Sequence, residues 1–88
     1  MSIVLVTYDL NKVGQDYEAL YEQIKSLGDC INPLDSVWLI KTDKTCAQVR
    51  DHIKTVLDGN DLLIVLPYGE GRASILNSKD IEWIKQNI

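Results

Sequence analysis

The chain opens on Ile3-Val4-Leu5-Val6-Thr7-Tyr8-Asp9, a run of apolar and β-branched residues that ends in a carboxylate. Strict polar/apolar alternation is missing, so the run reads as a strand covered on both faces. Two later stretches share this property: Val37-Trp38-Leu39-Ile40-Lys41-Thr42 and Leu62-Leu63-Ile64-Val65-Leu66, the second closed by Pro67. A sheet with one face in water shows a polar residue at every second position. These strands do not, and that limits the chain to folds in which both sheet faces are buried, within the chain or against another one.

The segments between the strands read as helices and turns. Asp16 is a good N-cap, with Glu18 in the first turn behind it. Tyr17, Leu20, Tyr21, Ile24 and Leu27 then fall on one helical face, and Gly28 is the natural stop. Asp29 to Leu34 is an edge or irregular strand, because Pro33 cannot donate to a ladder. Asp35-Ser36 is a turn, and this segment pairs with residues 37–42 as a hairpin. Thr45-Cys46-Ala47-Gln48 fits a capping box, ahead of a helix with Val49, Ile53, Val56 and Leu57 on one side. Asp58-Gly59-Asn60-Asp61 ends it as a turn. After a loop from Tyr68 to Ser74, and a short extended piece at Ala73 to Leu76, Asn77 or Ser78 caps a last helix near Lys79 to Asn87. Ile81, Ile84 and Ile88 share one side of it. The predicted class is α+β: a single ferredoxin-like β-α-β-β-α-β domain spanning residues 1–88, with an extra C-terminal helix.

Composition bounds the function. The 88 residues carry a net charge of −4, which excludes a strongly basic nucleic-acid clamp. It leaves room for a nuclease whose metal ion supplies the positive charge. Cys30 and Cys46 belong to no CxxC or Cys/His cluster, so they predict reduced thiols in a cytoplasmic protein rather than a zinc site. The opening apolar run has no basic flank and is too short for a signal peptide or a membrane span, so no membrane association is expected.

Three stretches carry a resemblance. Tyr8-Asp9-Leu10 ends the first strand, Ser36-Val37-Trp38 opens the third, and Asp61-Leu62-Leu63-Ile64-Val65 forms the fourth. Together they resemble the small CRISPR-associated adaptation endonuclease, a ferredoxin-like dimer. The chain is more closely similar to its SinR-like relatives, through Tyr8-Asp9-Leu10-Asn11-Lys12, Gly14-Gln15-Asp16-Tyr17, Leu34-Asp35-Ser36-Val37-Trp38-Leu39, Gln48-Val49-Arg50-Asp51 and the Asn60-Asp61 turn. The likeness covers about residues 1–66. It implies a homodimer in which the aspartate ending the first strand approaches its symmetry mate. In nuclease members that pair is associated with a divalent metal and phosphodiester cleavage, and Asp9 is the residue that transfers. The chain departs from the pattern in its C-terminal helix, which stands in place of a last strand, and in its few basic residues.

Asp9 is the central candidate. A hard cation takes carboxylate oxygens, so Asp9 is a candidate ligand for Mg2+ or Mn2+ and the candidate catalytic residue. Its structural alternative is to accept backbone N–H groups in the following loop. Asn11 and Lys12 are candidates for phosphate contacts or plain loop residues. Ser36 either orients a water beside Asp9 or terminates the hairpin turn. Tyr8 packs, with its hydroxyl at the sheet edge. His52 sits on a solvated helix face, a poor place for a general base. Gly69-Glu70-Gly71-Arg72 lacks the phosphate-loop pattern, and Trp38 and Trp83 read as packing residues rather than base-stacking platforms. Two functional readings remain: a dimeric divalent-metal-dependent endonuclease acting on RNA or DNA, and a non-catalytic dimeric module whose acidic surface binds a protein partner.

Overall fold

A computed structural model of the protein describes residues 1–11 and 17–88. Its elements are β1 (Ser2–Asp9), α1 (Tyr17–Lys25), β2 (Asp29–Leu34), β3 (Val37–Thr42), α2 (Cys46–Lys54), β4 (Leu62–Pro67) and α3 (Ser78–Asn87). The four strands form one antiparallel sheet in the order β2-β3-β1-β4. This is the expected β-α-β-β-α-β arrangement with an added C-terminal helix, consistent with a ferredoxin-like sandwich. The expected N-cap Asp16 lies outside the described residues. Among the described residues, no helix is long and apolar enough to cross a membrane.

Local chemistry accounts for most of the element boundaries. Thr45 and Gln48 form the reciprocal capping box that starts α2: the Thr45 hydroxyl accepts from the Gln48 N–H at 3.1 Å, and Gln48 Oε1 accepts from the Thr45 N–H at 2.9 Å. Asn77, rather than Ser78, caps α3, its side chain accepting from the Asp80 N–H at 2.9 Å. Pro33 falls on the edge strand β2, where the pairing with β3 loses register between Ile31 and Leu34. Gly28 lets the chain turn from α1 into β2 against the β3 backbone. A Cβ there would run into the Lys41 carbonyl oxygen. Ala73 to Leu76 takes no strand conformation, because neither sheet edge pairs with it.

The sheet carries an apolar layer on each face. On one, Val4, Val6 and Tyr8 of β1 and Trp38 and Ile40 of β3 pack on Leu20 and Ile24 of α1 and Val49 and Ile53 of α2. On the other, Ile3 and Leu39 are buried under Ile84 of α3, with Leu5, Ile31, Tyr68, Leu76 and Trp83 packed around them. The Trp83 indole N–H donates to Asp29 at 3.2 Å and ties α3 to the β2 side. A ten-residue helix reaches about 15 Å along its axis, and α3 leaves β4 uncovered. Leu62, Ile64 and Leu66 remain 61%, 59% and 40% exposed. Their cross-strand partners are Asp9, Thr7 and Leu5, so they extend the apolar layer that α3 covers in part.

Candidate functional site around Asp9

Asp9 is the last residue of β1 and pairs with Leu62 of β4. Alternation along β1 puts it on the same sheet face as Thr7, Leu5 and Ile3, away from α1 and α2. Its side chain is exposed. Two hollows meet at this residue. One, of about 240 Å³, lies over β1 and β4 and is bounded by Thr7, Leu62, Leu63 and Ile64. The other, of about 350 Å³, opens toward α1 and the β2–β3 turn and is bounded by Tyr8, Tyr17, Tyr21, Asn32, Asp35 and Ser36. The first is largely apolar, while the second combines aromatic rings with oxygen atoms.

Tyr8 faces the helices and is buried. Its hydroxyl accepts the Trp38 indole N–H at 3.2 Å and lies 3.4 Å from the Asp35 carbonyl oxygen. The second separation exceeds the usual O–H···O range, so the Trp38 bond is its main tether. Burial pushes the Tyr8 phenol above its ordinary pKa, and the Trp38 hydrogen bond works against that shift. The phenol therefore stays neutral at physiological pH. Tyr21 continues the aromatic row, with its ring 5.4 Å from Trp38 and 6.0 Å from Tyr17.

Ser36 lies in the hairpin turn between β2 and β3, and its carbonyl accepts the Tyr8 N–H at 3.3 Å. The adjacency of β1 and β3 thus brings Ser36 and Asp9 to one cleft, with the Ser36 backbone acting as the end of the ladder. Asn11 serves the fold. Its N–H donates to Asp61 Oδ1 at 3.1 Å, and its side-chain amide donates to the Asn60 carbonyl at 2.7 Å. Asp61 also accepts the Asp58 N–H at 2.9 Å. Asn11, two residues beyond Asp9, is thereby latched to the turn before β4. Lys12 lies outside the described residues.

Sequence reasoning did not single out Asn32, Asp35 or Tyr17 as site residues. They reach the cleft only because the β2–β3 turn and the start of α1 meet beyond the end of β1. His52 instead joins α2 to the end of α1 through a 2.9 Å contact between Nε2 and Ser26 Oγ. The Ser26 hydroxyl also donates to the Gln23 carbonyl at 2.7 Å, which commits its proton and makes the pair a tether. Trp38 is core and Trp83 is partly buried under the second layer. Both cysteines are free and half-buried.

Among the described residues, no three His, Cys, Asp or Glu side chains gather closely enough to hold a metal ion. Asp9 supplies the hard oxygen donors that Mg2+ or Mn2+ prefers, but one carboxylate is a small part of a coordination shell. No protein-family model matches this chain.

Proposed function

We propose that this protein acts as a homodimer closed over the open half of its sheet, with Asp9 of each copy at the seam. In this reading the two carboxylates hold Mg2+ or Mn2+ for hydrolysis of a phosphodiester in RNA or DNA. The observation that carries the proposal is the row Leu62, Ile64 and Leu66, exposed beside Asp9 in the same sheet layer. Burying each such side chain contributes roughly 1.5–3 kcal/mol, and several together offset ordinary association costs. A two-fold axis is the commonest way to close such a surface. It would also supply the second carboxylate that one chain lacks. A bound ion would provide the positive charge that a phosphate needs and would activate water. The chain's own part is to fix Asp9 at a strand end, where Asn11 and the Asn60-Asp61 turn hold the following backbone.

A second reading is a non-catalytic dimeric module that binds a protein partner. It is favoured by charge: no described Lys, Arg or His borders either hollow at Asp9, and the whole chain is acidic. One experiment separates the two. Purified wild type and Asp9→Asn are incubated with single- and double-stranded RNA and DNA in Mg2+ or Mn2+. The nuclease reading expects cleavage by wild type and its loss in the folded Asp9→Asn variant. Cleavage that persists in the variant removes Asp9 from catalysis. A wild-type dimer that cleaves nothing leaves the interaction module.

A further inference from the structure

The two edges of the sheet differ in chemistry. β2 carries Asp29, Pro33 and a break of register against β3, all of which discourage a further strand,. β4, at the other edge, has no charged residue from Leu62 to Pro67 and keeps its register with β1 throughout. That register sorts its backbone groups. The Tyr68 N–H donates to the Ile3 carbonyl at 2.9 Å. Tyr68 and every second residue before it, Leu66, Ile64 and Leu62, therefore turn their N–H and C=O toward β1. Leu63 and Val65 turn theirs outward, and Pro67 turns out a carbonyl alone. Among the described residues, no hydrogen bond reaches these outward groups. A hollow of about 420 Å³ lies between Leu63 and the α2 residues Arg50 and Lys54, so the helix leaves this edge open.

The outward groups fit a second copy of the same strand. Two β4 strands placed antiparallel, with a two-fold axis at Ile64, bring Leu63 of each copy opposite Val65 of the other. Each such pair exchanges both of its N–H···O=C bonds, so every outward group of Leu63 and Val65 is met. A shift by two residues leaves a carbonyl without its donor. Pro67 has no N–H, and the Asp61 N–H is already given to the Asp58 carbonyl at 3.1 Å,. In the unshifted register Ile64 faces Ile64, and Leu62 faces Leu66, on the open side of the sheet. A net charge of −4 makes copies of this chain repel,, but β4 brings none of that charge to the contact. A strand from another protein would offer the same main-chain bonds; the matching of side chains about Ile64 favours a second copy. We infer that β4 is a self-pairing edge that joins two copies of this chain into one continuous sheet. The contact goes beyond the seam over the sheet face, because it uses main-chain groups lying in the plane of the sheet.

The test reads amide hydrogen exchange in the full chain by NMR, from dilute to concentrated protein, beside sedimentation. As copies associate, the Leu63 and Val65 amides are expected to slow at least about tenfold, as amides inside a sheet do. A dimer closed over the sheet face alone leaves both amides in water and fast, so failure of this inference and failure of the face seam are told apart. Val65→Pro removes an outward N–H and spares the ladder with β1, since proline is tolerated at an edge position whose N–H faces solvent. It should weaken the association at least about tenfold. The Ile64 and Leu66 amides, which point toward β1, should stay protected in it and report that it folds. Leu63 and Val65 amides that exchange fast at every concentration, or as fast in an associated protein as in the monomer, overturn the inference. So does a folded Val65→Pro variant that associates as tightly as wild type. The wild-type exchange rates decide the matter even where the proline variant fails to fold.

Discussion

At the scale of single residues, the tightest constraints sit where side chains from distant parts of the chain share one atom. The Tyr8 hydroxyl is the buried acceptor for the Trp38 indole N–H. Tyr8→Phe strands that donor in the core and is expected to cost about 1–2 kcal/mol, measured by urea denaturation near neutral pH. The same residue sets an alkaline limit. Its phenol is raised above the ordinary value near 10 by burial,, so the folded state holds the proton longer than the unfolded state. Stability from this group is therefore full below about pH 10 and falls as pH rises toward the folded pKa. The slope of unfolding free energy above pH 10 should be shallower in Tyr8→Phe than in wild type. An identical slope would mean that Tyr8 does not titrate differently in the two states. At Gly28, alanine meets the Lys41 carbonyl. A loss of about 2 kcal/mol or more is expected, and an unchanged denaturation midpoint would contradict that close approach.

Among the elements, the helices differ in how they are secured. α2 begins in a complete capping box, so Thr45→Ala should lower stability by about 1 kcal/mol, with Thr45→Ser restoring most of it. α3 depends on Ile84, Trp83 and the Asp29 bond rather than on length. A chain ending at Leu76 would expose Ile3 and Leu39, and it is expected to aggregate or to melt well below the full chain. The segment 68–77 between β4 and α3 belongs to no element. Its amides should exchange faster than those of residues 3–8, which lie in the centre of the sheet. Equal protection in both segments would mean that the segment is held by contacts beyond those at Tyr68 and Arg72.

For the whole molecule, the sheet is a half-covered surface. α3 occupies the β2 and β3 side, and the β4 side keeps its large apolar residues in water. If a second copy covers them, sedimentation at low micromolar concentration should report a dimer of this 10.0 kDa chain. Ile64→Lys should return it to a monomer while leaving the helix-side core intact. A wild type that stays monomeric at that concentration would show α3 to be sufficient cover, and the seam at Asp9 would be withdrawn with it.

The sequence by itself determined the order of elements and many of their limits. Those depend on neighbours within a few residues: the Thr45–Gln48 box, the Pro33 edge strand, the apolar runs at residues 3–6 and 62–66. It also marked Asp9 as a strand-end carboxylate and revealed that the strands are apolar on both faces. Only the tertiary structure decided which apolar set faces α1 and α2, because a two-residue period reads the same from either side. It alone decided that α3 would cover Leu39 and leave Ile64. The site was less legible than the fold for the same reason. Asn11 reaches Asn60 and Asp61 across some fifty positions, and the Tyr17–Asn32–Asp35 cleft joins three separate segments. Local periodicity carries no record of such partners, which meet only when the sheet order brings the ends of their elements together.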